Sequence, residues 1–420
     1  MRIAIVTETF PPEINGVALT VAGLAQGLRD AGHSVQIVRP RQPDADDPAG
    51  DSGATTDAAD FNNILVRGAR LPRYPGLQFG LPTARRLRKL WKDERPDAIY
   101  VATEGPLGYS ALRAARALGI PAATGFHTRF DDFARHYGFG FLTPVVFAYL
   151  RRFHRHGAAT LVPTVELRDF LIENKFGNVV LLRRAVDTRL FSPTRRDEAL
   201  RAQWGLKPGQ LALIYVGRIA AEKNLPLAVR TFREIQKLHR DARYVFVGDG
   251  PARAALAADN PDFIFAGIQR GTELARHFAS ADLFVFPSLT ETFGNVTLEA
   301  LASGLPTVAF DYGAAREHLD ADHGRRVAFG DEEAFVRGAL ELVRADVTRA
   351  DIRAHAVAAV AQLDPATVSA NFAKLLGELA QQRAVADGDP AAIEAEAIES
   401  ARESAVVVPT TIVRGAGGAA

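Results

Sequence analysis

Short apolar runs alternate along the chain with longer stretches in which apolar positions recur at helical spacing, a pattern that predicts parallel βαβ construction. In the first half, strands are predicted at 2–6, 35–38, 98–102, 122–125, 160–163 and 179–182. A helical pattern over 18–31 stops at Gly32, as a helix end should. After a polar, Pro-containing stretch at 187–193 the pattern restarts, with strands predicted at 211–216, 244–247, 263–265, 283–286 and 307–309. Helical patterns continue to about residue 382, beyond which Ala, Gly and Glu dominate without periodicity. The segment 43–60 reads as a mobile loop.

The chain's 420 residues exceed one hydrophobic core. The predicted organisation is a Rossmann-like domain over 1–186, a second over 187–365, a helix over 366–382 returning to the first, and a disordered tail over 383–420. A net charge of +1 gives no reason to expect nucleic acid, and the absence of cysteine excludes disulfides, thiolate metal sites and cysteine nucleophiles. The first apolar run meets Glu8 and Pro11-Pro12 too early for a signal peptide, and no apolar stretch has the length of a membrane span; a cytoplasmic protein is expected.

Two doubly wound domains in tandem place a cleft at the carboxyl ends of their strands, so chemistry is sought in the strand-to-helix loops. The first such loop delivers Gly16 to a helix start, where free N–H groups suit phosphate, although no GxGxxG follows the strand. In the second half, Arg218 and Lys223 follow a strand and together could balance a diphosphate without a metal. The most specific segment runs from Ser288 to Ala300: Glu291 lies in a loop, Glu299 on the following helix, and the N–H groups of Phe293, Gly294 and Asn295 are free to meet phosphate.

Taken together these residues resemble family 4 of the retaining glycosyltransferases, which have the GT-B fold of two Rossmann-like domains facing across a cleft. The resemblance rests on Glu291 and Glu299 with seven residues between them, Gly217-Arg218, Glu222-Lys223-Asn224, Pro11-Pro12, Asn15-Gly16, Phe126-His127-Thr128 and Gly248-Asp249-Gly250-Pro251. It implies that Arg218 and Lys223 bind the donor diphosphate, that Glu299 holds the ribose hydroxyls and Glu291 the transferred sugar, and that His127 lies beside sugar and acceptor. Gly16, Phe293, Gly294, Asn295 and Val296 complete the implied donor site. No metal and no cofactor are implied, the nucleotide sugar being a substrate. Arg184-Ala185-Val186-Asp187 and the stretch near Asp364-Pro365 depart from the family pattern close to the interdomain connection. The first loop and the segment at Gly125–Arg129 look most like bacterial GDP-mannose-dependent α-mannosyltransferases and glycolipid synthases, which implies mannose transfer to a lipid or glycan. A UDP-hexose donor and a nucleotide-sugar 2-epimerase are the alternatives.

Three Asp-x-Asp triplets, at 44–46, 320–322 and 387–389, read as chance, and His154 with His156 as part of a solvated basic helix face. Arg67, Arg70, Arg73, Arg85, Arg86, Arg88, Lys89 and Lys92 are interleaved with Leu71, Tyr74, Leu77, Phe79, Leu81 and Trp91. A second cluster joins Phe139, Phe141, Phe147, Tyr149 and Phe153 to Arg151, Arg152 and Arg155. Such surfaces suit peripheral contact with an anionic membrane, with Arg85, Arg86, Arg88 and Lys89 as the expected contact or acceptor residues.

Overall fold

The computed structural model describes residues 1–13, 15–42, 61–70, 78–127, 143–291, 293–344, 349–389 and 392. Its strands in chain order are β1 (Arg2–Val6), β2 (Ser34–Pro40), β3 (Asn62–Val66), β4 (Gly68–Arg70), β5 (Gln78–Gly80), β6 (Ala98–Val101), β7 (Ala122–Gly125), β8 (Ala159–Val162) and β9 (Val179–Leu181). The second half adds β10 (Ala212–Val216), β11 (Arg243–Val247), β12 (Ile264–Gly267), β13 (Leu283–Phe286), β14 (Thr307–Phe310) and β15 (Gly324–Val327).

Two parallel sheets form, ordered β3-β2-β1-β6-β7-β8-β9 and β12-β11-β10-β13-β14-β15, and β4 pairs antiparallel with β5. In each large sheet the order reverses beside its first strand, between β1 and β6 and between β10 and β13. Such a switch point opens a crevice at the strands' carboxyl ends. The strands read as nearly continuous apolar runs because helices cover both faces: Ile214, Tyr215, Phe284 and Val285 are wholly buried. The sequence reading missed β3, β4, β5 and β15. These elements carry Asn62-Asn63, glycines or Arg325-Arg326, and β3 and β15 are sheet edges that need no unbroken apolar run.

The helix Pro365–Ala386 packs on Gly16–Asp30 in the first half, with Phe372 against Tyr100 at a ring-centroid distance of 5.0 Å. Gly27 permits the approach, since a Cβ there would lie 1.9 Å from Ser369 Oγ. This helix runs past the expected start of the tail at 383. Residues 393–420, the segment 43–60 and the triplet 44–46 lie outside the described residues. The 187–193 connection is less polar in practice than in sequence, because Phe191 anchors it in the second core. Val186 N–H donates to the Leu363 carbonyl at 2.8 Å, so the two departures from the family pattern flank a direct contact between the chain's two interdomain crossings.

One face of the first sheet carries the helices Ala84–Asp93, Pro106–Leu118 and Thr143–His154. Arg85, Arg86, Arg88, Lys89 and Lys92 are exposed there. Several aromatics expected at a headgroup interface belong instead to the core: Trp91 and Phe153 are fully buried, Trp91 Nε1–H donating to Gln36. Arg86 donates to the Leu65 carbonyl at 2.9 Å. Leu71, Arg73, Tyr74, Leu77, Phe139 and Phe141 lie outside the described residues. No described helix is long and apolar enough to cross a membrane.

Candidate active site

The carboxyl ends of both large sheets face a cleft of about 840 Å³ between the two halves. Its walls include Pro11, Pro12, His127, Arg184, Asn295, Val296 and Glu299, and the C-terminal helix contributes Val368 and Ser369. Gly16, Arg218, Lys223, Glu291, Phe293 and Gly294 do not line it in this conformation.

The loop after β1 is held by a buried acid. Glu8 accepts the N–H groups of Leu107, at 3.1 Å, and of Gly80, while burial raises its carboxyl to about 7. The helix start that the loop delivers is already partly satisfied, which corrects the expectation of free donors at Gly16. Asn15 Oδ1 accepts from Val17 N at 3.1 Å and from Ala18 N at 2.9 Å. A Cβ on Gly16 would meet nothing within 4 Å among the described residues, so none of them requires glycine at this position.

After β7, His127 is buried between two partners. Arg184 donates to Nδ1 at 2.7 Å, and Tyr100 oxygen lies 2.7 Å from Nε2. Because a guanidinium only donates, Nδ1 must accept; a neutral imidazole then carries its hydrogen on Nε2 and donates it to Tyr100. Burial, then the charge of Arg184, holds His127 well below the ordinary histidine range, while burial lowers Arg184 to about 10. Gly125 makes the arrangement possible: a Cβ there would sit 2.3 Å from the Tyr100 oxygen and 2.5 Å from His127 Nε2. Tyr100, Gly125 and Arg184 escaped the sequence reading as site residues.

In the second half the loop after β10 is pinned by Tyr215 OH donating to the Arg218 carbonyl at 2.9 Å. Gly248 and Gly250 lie across the same loop at φ of 135° and 159°, so close that a Cβ on Gly248 would be 2.0 Å from Gly217 O. The Arg218 side chain is 60% exposed and 3.7 Å from Glu222. Lys223 is engaged differently: Nζ donates to Glu291 Oε1 at 2.5 Å, to the Thr290 carbonyl at 3.1 Å and to Ser288 Oγ at 3.3 Å. The two basic residues of the expected clamp are thus separated here, Lys223 being bound to the acid expected to hold the sugar.

After β13, Gly294 enters the helix Asn295–Ala302 at φ 90°, with no side chain capping the start. The Phe293 ring is buried in the second core, and its carbonyl accepts Ala314 N–H at 2.6 Å. Glu299 lies on the cleft wall with no hydrogen-bond or ion-pair partner among the described residues, and burial raises its carboxyl to about 7. A partly buried, unpaired carboxyl beside an uncapped helix start can accept paired hydroxyls while the helix start receives an anion.

Of the two histidines expected on a solvated basic face, His154 is not on one, whereas His156 is half-buried beside exposed Arg152 and Arg155. His154 is buried, with Nδ1 2.8 Å from Thr124 Oγ1 and Nε2 3.6 Å from Glu104. Among the described residues no cluster of three or more His, Asp or Glu side chains could hold a metal ion.

Comparison with known proteins supplies the relatives. Residues 14–190 match the model described as Glycosyltransferase Family 4, and residues 210–345 the one described as Glycosyl transferases group 1. The chain is 35% identical over 317 residues to a GDP-mannose-dependent alpha-mannosyltransferase of Mycobacterium tuberculosis, covering 76% of this chain and 81% of that one. It is 28% identical to an alpha-monoglucosyldiacylglycerol synthase of Streptococcus pneumoniae, over 74% of this chain and 71% of the other. In fold it is similar to the Anabaena protein HepE, solved with UDP, at a TM-score of 0.71 and 16% identity over 90% of this chain and all (100%) of that chain.

Proposed function

The chain belongs to glycosyltransferase family 4, and from that premise we propose that it moves a mannosyl group from GDP-mannose to a lipid acceptor, with retained configuration and without a metal. The observation that carries the reading is the unpaired Glu299 carboxyl on the wall of the interdomain cleft, one turn along the uncapped helix whose first residues, Asn295 and Val296, line the same wall. A nucleoside diphosphate presents both complements, a ribose diol and an anion. Mannose is preferred because the relative at 35% identity is named for GDP-mannose, whereas the UDP-bound HepE shares only the fold. UDP-hexose transfer is the second reading.

As the bond from the sugar to the diphosphate breaks, negative charge grows on the departing nucleotide. Lys223, Arg218 and the helix start at Gly294 supply the positive field there. All three Nζ hydrogens of Lys223 are already engaged, so it reaches phosphate by exchanging one of them; releasing Glu291 leaves that carboxylate to take the sugar hydroxyls. His127, neutral and with Nδ1 filled by Arg184, serves to position sugar and acceptor rather than as a base.

The basic helical face of the first sheet supports peripheral contact with the anionic inner surface of the cell membrane, where a lipid acceptor would reside. Slow hydrolysis of a panel of nucleotide sugars tests the donor. Preferential turnover of GDP-mannose is expected; turnover of UDP-sugars alone moves the assignment to the second reading, and an epimerised nucleotide sugar with no transfer rejects both.

A further inference from the structure

We propose that the groove between the helices Pro106–Leu118 and Thr143–His154 is a phosphate-binding pocket, in which Arg113, Arg116, Arg152 and His156 hold the phosphate of an anionic lipid. It lies outside the interdomain cleft and does not depend on the donor assigned above. The open groove has a volume of about 560 Å³ and is lined by these four residues together with Tyr109, Leu112 and Ala117. Spacing explains the convergence: Tyr109, Arg113 and Arg116 fall on one face of their helix, and Arg152 and His156 are four residues apart.

The charges gathered there have no internal counterpart. Neither helix contains Asp or Glu, and none of the three arginines has an ion-pair partner among the described residues. His156 Nε2 is buried without a hydrogen-bond partner. Burial, followed by the charges of Arg116 and Arg152, holds this imidazole below the ordinary histidine value. Like charges collected without a carboxylate repel one another, and a phosphate relieves that repulsion while accepting the guanidinium forks and an imidazole N–H.

The surroundings select a lipid over free phosphate. Val145 and Tyr149 are large exposed apolar side chains, 66% and 44% exposed. With Arg152 and His156 they fall at helical spacing, so an apolar strip leads into the basic pocket. Tyr149 is fixed there, its hydroxyl donating to the Glu104 carbonyl at 2.6 Å. A phosphate in the pocket would place attached acyl chains along the strip.

The test uses the full-length protein with isotopically labelled histidine, the His156 resonance being assigned from His156→Gln. It is titrated with dihexanoyl phosphatidic acid below its micellar concentration and, separately, with glycerol 3-phosphate. Saturable movement of the His156 signal is expected with both, about tenfold or more tighter for the lipid because its chains bury apolar surface. Arg116→Gln/Arg152→Gln should abolish the saturable shift while nucleotide-sugar binding persists, which shows a folded cleft. Equal affinity for the two ligands would overturn the lipid assignment. No saturable shift with either, or an unchanged shift in the double variant, would overturn the pocket.

Discussion

Lys223 Nζ lies 2.5 Å from Glu291 Oε1, which joins the motif residue expected to hold the donor diphosphate to the one expected to hold the transferred sugar. Ser288 Oγ also donates to that carboxylate oxygen, at 2.9 Å. Under the proposed roles, donor binding redistributes this cluster. If Lys223 then stabilises the leaving group, Lys223→Ala lowers kcat and kcat/KM together by on the order of 100-fold. Steady-state kinetics decide: a change confined to KM would assign Lys223 to ground-state binding alone.

Glu299 gives a pH signature. Its carboxyl, raised by burial to about 7, gains charge as pH rises through that value, and donor hydroxyls bind the ionised form better. Affinity for intact GDP-mannose, whose diphosphate does not titrate in this range, should strengthen up to about pH 7 and level off above it. Glu299→Gln should weaken binding by about 10- to 100-fold and remove the slope. Calorimetry across this range checks both, and a slope surviving in Glu299→Gln would assign the titration to another group.

Gly125 is a packing requirement of the His127 site. Adding its Cβ in Gly125→Ala forces apart Tyr100 and His127, at an expected cost of about 1–3 kcal/mol, and misplaces the imidazole. Thermal denaturation should show a lowered Tm, and turnover should fall in the protein that remains folded. Wild-type stability and turnover in this variant would mean that the close approach is not needed.

The basic face predicts salt-sensitive membrane contact. Arg85→Glu/Arg88→Glu/Lys89→Glu should abolish sedimentation with anionic vesicles at low salt while hydrolysis of donor in solution continues. Arg86 is spared because it donates to the Leu65 carbonyl. Equal sedimentation with neutral vesicles would reject the electrostatic contact.

Both sheets were legible because buried parallel strands are unbroken apolar runs, and the loops at their switch points hold the recognised motifs. Pairings between distant residues were not. Tyr100 reads as one more core residue of β6, and Arg184 follows an apolar run, yet both converge on His127 across 27 and 57 residues of sequence. His154 looked solvated because Arg151 and Arg152 precede it, but Phe153 and His154 turn inward at the helix end. Trp91 likewise sits among lysines and arginines while filling the core. Local charge misleads wherever a single helical position faces the opposite way from its neighbours.

The most direct test of the central claim is proton NMR of the product formed from GDP-mannose and a diacylglycerol-linked acceptor in excess chelator. A mannosylated lipid with the α configuration of the donor is expected, at a rate the chelator leaves unchanged. An inverted anomer, or turnover lost on chelation and restored by magnesium or manganese, would contradict it.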